Sequence, residues 1–546
     1  MKIIHKDKEI EINEGKKIEE ILQNEIKESK YPAVGAIYNN QYVGLTKVIS
    51  EDGTIDLIDM SSREGIQIYR RTLIYIFAKV LKDLYPENEA TVNYQLNNAT
   101  YCDLGDIEVT ENLIEKINTE MRKVVDLAIP ITEKIMTRQE AKEFIENENT
   151  LRGKLQYDIE SNEEIHMYFC DDYFNYCYGT IANNTSVIKV FEVIKYDKGV
   201  LLRYPDKENP EQLSKLIQNK KIKWALEEYN DIHKILDMKT VYRLNEAVNQ
   251  EKIKDIIMLD EALHEKKIAN IADKIAQNRN IRMILIAGPS SSGKTTFAQR
   301  LGIQLRINKI KPVTISVDNY FVERKDNPKD ENGNYNFECI EAIDINLFND
   351  HLNKLLNGEE IEIPKFDFRT GEKKYYGDKM KLEEDEVLGI EGIHCLNDKL
   401  TITIPKEKKF KIYISALTVL NMDRYTKISG QDIRLIRRIV RDYQFRGYTA
   451  KHTIQNWPSV TKGEVENIFP FQEEANVIFN TSLIYELGAL KNIAEPVLKE
   501  IKKEEPEYAE ATRLLDILKY INTILPENVP TNSLLKEFMG GGDFKY

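Results

Sequence analysis

The sequence predicts an α/β protein built on a five-stranded parallel sheet, with two smaller β-containing units in front of it. Three observations carry this. Gly288-Pro289-Ser290-Ser291-Ser292-Gly293-Lys294-Thr295 is a complete G-x-x-x-x-G-K-T loop between the short apolar run Met283–Ala287 and a helix-patterned stretch at 296–307. Four further apolar runs, at 313–317, 387–390, 410–414 and 477–479, alternate with helical stretches, the pattern of a parallel sheet covered on both faces. Ahead of them, residues 1–60 show short alternating runs typical of half-buried strands.

Taken in order, 1–60 reads as a β-grasp unit: a hairpin from Ile3-Ile4 and 9–12, a helix over 15–26, and strands at 34–38 and 54–58. Residues 61–205 read as an α+β unit. Its helix at 64–84 ends at Tyr85-Pro86, because proline disfavours helical geometry in the residue before it. Strands follow at 166–169 and 187–194. Residues 206–275 are charged and nearly free of proline and glycine, so they predict a helical connecting layer rather than a flexible linker. Residues 276–500 carry the parallel sheet, and 501–546 form a helical tail with a flexible Gly540-Gly541-Gly542 end.

Composition narrows the function classes. A chain of 546 residues predicts three or four domains at about 150 residues each. A net charge of -13 disfavours a broad nucleic-acid footprint. Cys102, Cys170, Cys177, Cys339 and Cys395 are scattered and never form C-x-x-C, which suits reduced thiols in a cytoplasmic enzyme. No apolar run approaches the roughly 20 residues of a membrane span, and the alternating first residues predict a strand rather than a signal peptide.

The glycine loop points to phosphate chemistry. Glycines let successive N–H groups turn toward one anion, and the following helix adds its positive end. Residues Gly288 to Gly293, with Thr295 and Thr296, would cradle the phosphates of a nucleoside triphosphate. Lys294 would reach the β- and γ-phosphates, and the Thr295 hydroxyl would sit on Mg²⁺. In parallel sheets ligands bind where the strands end. Asp318, in Asp318-Asn319-Tyr320-Phe321, stands at one such end and Glu391 at another. A carboxylate there can accept the proton of an attacking hydroxyl or orient the metal; each is otherwise a turn acid or a structural acid. Arg434, Arg437, Arg438 and Arg441 share one helix face, with Arg446 beyond. Most charged faces are merely solvated. Beside a phosphate loop, a mobile arginine helix closes over the triphosphate and stabilises transition-state charge. Only Asp432 and Asp442 lie near enough in sequence to neutralise it. On the acceptor side, Phe337-Glu338 and the 364–369 stretch ending in Arg369 offer either a sugar and base pocket or ordinary packing.

The motifs GPSSSGKTT, Asp318-Asn-Tyr-Phe, 337–344 (FECIEAID), 364–368 (PKFDF), Glu391-Gly-Ile and 437–447 (RRIVRDYQFRG) occur in the order seen in uridine kinases. Residues 276–500 therefore resemble the uridine kinase and phosphoribulokinase family. The resemblance implies a P-loop kinase with Asp318 and Tyr320 on the acceptor side, Asp318 being the catalytic base. It implies Glu391 as the magnesium-side acid and Arg438, Arg441 and Arg446 in a lid over ATP. It puts Glu338 in place of a ribose-binding aspartate and Phe366 in place of a base-pocket tyrosine. There are departures. The family's pyrimidine-reading histidine falls on Gly371, the proline of its F-D-H-P stretch is Ile340, and an arginine past the lid is Tyr448. Catalytic machinery carries over, and pyrimidine recognition does not.

Residues 1–60 resemble a TGS domain and 61–205 the second, editing-type domain of threonyl-tRNA synthetase. The H-x-x-x-H and C-x-x-x-H positions of that editing site fall on Arg71, Tyr75, Cys177 and Ile181. One sulfur ligand of four holds no zinc, so neither zinc nor editing hydrolysis is expected. No synthetase catalytic core follows. The expected activity is transfer of phosphate from ATP, with Mg²⁺, to the 5′-hydroxyl of a nucleoside. The alternatives are an ATP-gated module contacting RNA through the front domains, or a kinase of a phosphorylated sugar using Lys325, Lys329 and Arg369. No membrane partner is expected; donor base, acceptor base and oligomeric state stay open.

Overall fold

All five residues of Met283–Ala287 are apolar and buried, as a strand covered on both faces must be. The strand is the middle of a five-stranded sheet ordered Lys311–Ser316, Glu386–Glu391, Met283–Ala287, Lys409–Ser415, Val477–Asn480, with every pairing parallel. The computed structural model describes all residues except 89, 147–164, 218, 236, 330–332, 334, 368–369, 419 and 546. The second strand ends at Ser316, one residue before the sequence reading ends it. Val317–Tyr320 is then a 3₁₀ turn that carries Asp318.

Helix Lys294–Ile307 leaves the glycine loop and packs Phe297, Leu301 and Leu305 against Ile268, Ile271 and Ile275 of helix Ile253–Gln277. On the other side, the helices Gly430–Arg441, Ala450–Asn467 and Glu486–Lys499 share one core with Val241, Leu244, Leu514, Leu518, Leu534, Leu535 and Phe538. The connecting layer and the C-terminal segment are thus built into the same core as the arginine helix. The tail is pinned rather than flexible. Thr531 Oγ1 donates to the Asp543 carboxylate at 2.7 Å, and the Asp543 amide returns a bond to the Thr531 carbonyl at 3.0 Å.

At the front, strands Lys8–Glu11, Lys2–His5, Gly53–Asp59, Ala33–Tyr38 and Gln41–Val43 form one sheet in that order. Only its Lys2–His5/Gly53–Asp59 pair is parallel, as a β-grasp requires. The expected helix is split into Ile18–Ile21 and Gln23–Glu28 and covers this sheet through Ile18 and Leu22. The next unit places helices Arg63–Leu84 and Glu111–Asp126 beside a four-stranded and a three-stranded antiparallel sheet. Ser62 caps the long helix by accepting from the Gly65 amide at 3.0 Å. The strand expected over 187–194 does not form along that length. Asn184 accepts from the Ser186 amide and starts the 3₁₀ turn Thr185–Val187, so the strand runs only over Glu192–Tyr196. Among the described residues no helix is long and apolar enough to cross a membrane.

Candidate active site

The loop turns sharply at two points. A Cβ on Gly288 would stand 2.3 Å from the Ile414 carbonyl oxygen, so only glycine fits where the loop leaves its strand. Ser291 and Gly293 take φ of +56° and +87°. Lys294 folds back and donates to the Gly288 and Pro289 carbonyls at 2.9 and 3.2 Å. Two acids remote in sequence occupy amides of this cradle. The Ser290 amide donates to Glu464 at 3.0 Å. The Thr296 amide and hydroxyl donate to Glu537 at 3.0 and 2.8 Å. Leu534 packs over Gly293, so the C-terminal segment forms one wall of the loop. The Ser291 and Ser292 hydroxyls are buried without a partner.

Asp318 and Glu391 stand at the carboxyl ends of neighbouring strands, and Glu391 pairs directly with Ile286 of the loop strand. Asp318 is exposed, but to a cleft that lies deep within the protein. That depth raises its carboxyl above the ordinary aspartate range, while Lys294 and Arg446 pull it back down. Burial likewise raises Glu391 against the pull of Lys294. The Thr295 hydroxyl donates to Glu391 at 3.4 Å. Glu338 is raised by burial and by Glu464, with Arg438 and Lys294 opposing. The Lys294 ammonium is pushed down by burial, although Glu391, Glu537 and Asp318 all favour its charge. The site is a set of acids gathered around one lysine.

The four arginines of helix Gly430–Arg441 divide into two pairs. Arg437 is fully buried; it donates to Glu486 at 2.6 Å and to the Thr481 carbonyl at 2.8 Å. Arg434 donates to Glu464 at 2.8 Å and to the Ser290 carbonyl at 3.1 Å. These two bind the helix to the body of the protein, which corrects the expectation of a freely mobile arginine face. The neutralising acids are Glu464 and Glu486, far away in sequence. Asp432 instead turns to Arg513 at 2.6 Å and Arg63 at 3.6 Å. The second pair stays at the cradle. Arg438 donates to the Ser290 hydroxyl at 2.9 Å. Arg438, Arg441 and Arg446 all reach the buried Asp442, at 3.3, 3.1 and 3.4 Å. Three guanidinium groups on one carboxylate leave surplus positive charge there. Burial, then Arg446, lowers Arg441 to about 10.

Two acceptor-side expectations are corrected. Tyr320 is fully buried, packed on Phe348 and joined through its hydroxyl to His351 Nδ1 at 3.0 Å, so it is a core residue. Phe366 is also buried, its ring 5.5 Å from that of Phe321. Phe337 remains partly exposed. Glu338 lies against Gly463, where a Cβ would approach to 2.6 Å. Arg369 lies outside the described residues. Lys325 pairs with Glu323 at 2.8 Å, and Lys329 sits over the Tyr335 ring. Gly371 takes φ of +76°, and a Cβ there would stand 2.6 Å from Arg324 Cβ, so the turn admits no larger side chain without strain.

At the editing-type positions, Arg71 forks between Glu64 at 2.6 Å and the Thr180 carbonyl at 2.8 Å. The Tyr75 hydroxyl donates to the Tyr168 carbonyl at 2.9 Å, and Ile181 is buried in the core. Glu464, Glu486 and Glu537 are the functional neighbours that the sequence reading missed. The first two had a signal: each is an acid on a helix face otherwise given to Trp457, Val460, Leu487 and Leu490, and a buried acid calls for a buried cation.

The family model described as Phosphoribulokinase / Uridine kinase family matches residues 283–484. A uridine kinase of Halobacterium salinarum is 30% identical over 195 residues, covering 35% of this chain and 77% of that protein. The front part is similar to threonine–tRNA ligases. Threonine–tRNA ligase 1 of Bacillus subtilis is 32% identical over 158 residues, 29% of this chain and 25% of the ligase. The chain thus spans about a quarter of that relative's length. Among solved structures, a possible uridine kinase from Bacillus stearothermophilus is 18% identical with a TM-score of 0.24, over 37% of this chain and 89% of that one.

Proposed function

Since this chain belongs to the phosphoribulokinase and uridine kinase family, we propose that it transfers the γ-phosphate of ATP to the 5′-hydroxyl of a nucleoside. The observation that carries this reading is the charge arrangement at the cradle, where Lys294 lies within electrostatic reach of Asp318, Glu391 and Arg441. The acceptor oxygen bonds to the γ-phosphorus, the bond to the β,γ-bridging oxygen breaks, ADP leaves, and the acceptor's proton passes to the Asp318 carboxylate. Lys294, Arg438 and Arg441 neutralise the moving phosphoryl group, and Arg446 helps hold the donor. The Thr295 hydroxyl beside the Glu391 carboxylate fits magnesium, which takes one or two protein oxygens and leaves its other positions to water and phosphate. Bound there, the ion supplies charge neutralisation on the phosphates.

At Gly371 a side chain would be strained, so none stands there in place of the family's histidine and the accepted base is left to the assay. The division into 1–60, 61–205, 206–275, 276–500 and 501–546, and a cytoplasmic setting, belong to the same proposal. The direct test is transfer from labelled ATP to a panel of nucleosides. Absence of product with every nucleoside, from protein that still binds ATP, overturns the reading.

Two further results are expected. Glu537 holds the Thr296 amide that an incoming phosphate would take. Glu537→Gln removes the competing charge and tightens ATP binding by about tenfold, the scale of one charge-assisted hydrogen bond. Unchanged or weaker ATP affinity by calorimetry would show that the carboxylate does not compete. The second result concerns pH. Asp318 must be ionised to accept a proton, and its folded value lies above 3.8. The kcat/KM of the enzyme therefore falls as pH drops through a midpoint above 3.8, and activity is retained on the alkaline side. A profile with its acid limb centred at or below 3.8 contradicts that assignment.

A further inference from the structure

A cavity of about 1480 Å³ lies between the synthetase-like front part and the loop 416–429 that leads into the arginine helix. Lys294, Asp318 and Glu391 do not line it. Most charged groups in its wall are already matched: Arg71 by Glu64, Arg513 by Asp432, Arg434 by Glu464, and His166 by Glu133. Two half-buried cations differ. Lys427 donates only to the Thr418 carbonyl. Arg70 donates through Nη1 to the Gln95 side chain and lies beside the Tyr204 hydroxyl, while its Nε is buried without a partner. Among the described residues neither forms an ion pair with a carboxylate. The deep setting of Lys427, with Arg70 and Lys239 nearby, pushes its ammonium down to about 7.

Two like charges held in one cavity wall without an acid are unfavourable unless an anion joins them. The wall also presents polar groups with no partner of their own. The Tyr178 hydroxyl and Thr418 Oγ1 are both buried and unbonded, and Thr418 is only 2% exposed. The rings of Tyr94, Tyr178, Tyr425 and Tyr520 complete a wall that is aromatic as well as basic. A mostly apolar or aromatic cavity with a few convergent polar groups is the usual form of a small-molecule site. A nucleic-acid backbone would call for a row of free cations along a surface; here, among the described residues, Lys47 alone is free and exposed, and the half-buried Lys427 and Arg70 are enough for one phosphate.

We propose that this cavity binds a nucleoside monophosphate as a second ligand, its phosphate held between Lys427 and Arg70 and its ring set among the tyrosines. Lys427 lies two residues before Ser429, whose hydroxyl accepts from the Gln431 and Asp432 amides and caps the arginine helix. The same loop is clasped by the front part: the Val92 amide donates to the Arg424 carbonyl at 2.8 Å, and Asn421 Nδ2 donates to the Val92 carbonyl at 2.7 Å. A ligand here touches both halves of the protein at the root of the helix that serves the cradle.

The test uses the full chain saturated with ADP and magnesium, so that the phosphate loop is filled. Calorimetry with AMP, CMP, GMP and UMP is expected to find at least one that binds. Lys427→Met and Arg70→Gln should each weaken that binding by about tenfold or more, the scale of a lost charged hydrogen bond, with ADP affinity unchanged. Thermal melting of each variant, unshifted or raised for Lys427→Met, separates loss of binding from loss of fold. The proposal is overturned if no monophosphate binds the wild type. It is overturned equally if both variants bind as tightly, since the ligand then sits in the acceptor cleft, or if a tRNA acceptor minihelix binds through Lys427 and the mononucleotides do not.

Discussion

Asp318→Asn is expected to lower kcat by about 10²–10⁴-fold, the contribution of a positioned general base, while ATP binding changes little. The substitution keeps the shape of the side chain and removes the carboxylate proposed to take the acceptor's proton. Asp318 is the second residue of the 3₁₀ turn Val317–Tyr320, open to the cleft and under the influence of Lys294 and Arg446. Asparagine keeps the polar contact and loses the basicity, so the acid limb of the pH profile should disappear along with the rate. The measurement is phosphate transfer under saturating ATP, with ATP affinity determined separately. A variant with wild-type kcat would take Asp318 out of the chemistry. A variant that no longer binds ATP would make it a structural residue of the cradle.

The largest effect on stability is expected at Arg437. Its guanidinium is wholly buried and Glu486 is 1% exposed, so neither charge has water as an alternative partner. Arg437→Met leaves the Glu486 carboxylate unpaired in the core, and breaking one side of such a pair costs about 3–5 kcal/mol. The loss should appear as a lower denaturant midpoint for the transition that includes the arginine helix. Adding Glu486→Met should recover much of it, because the buried charge then goes as well. If Arg437→Met alone shifts stability by less than about 0.5 kcal/mol, the range of an ordinary surface substitution, the pair does not carry the helix.

What the sequence made legible was local. The loop from Gly288 to Thr296, the strand ends at Asp318 and Glu391 and the 3/4 spacing of the arginines are each contained in a few consecutive residues. The parallel sense of the five strands followed from the alternation of runs, but their order in the sheet did not. Tyr320 was misplaced because Asp318-Asn319-Tyr320 reads as one unit, whereas a 3₁₀ turn brings residues three apart to the same side. Val317 and Tyr320 therefore both enter the core, while Asp318 stays exposed. Glu537, and the partners of Glu464 and Glu486, were out of reach for a different reason. The pairings of Glu464, Glu486 and Glu537 span 30, 49 and 241 residues, and no periodicity encodes a pairing of that range. Helix Gly430–Arg441 looked like a free cationic face because only nearby acids can be counted from sequence.

The shared core of the arginine helix has a practical corollary. Leu435, Ile436 and Ile439 share one buried cluster with Val241 and Leu244 from before the sheet, and with Leu514, Leu534 and Phe538 from after it. An excised cassette limited to 283–484, the stretch matched by the family model, would leave that helix with bare apolar flanks and the phosphate loop without its C-terminal wall. The catalytic part is therefore a borrower of its neighbours' side chains, and any shortened version intended for biochemistry has to keep both flanks.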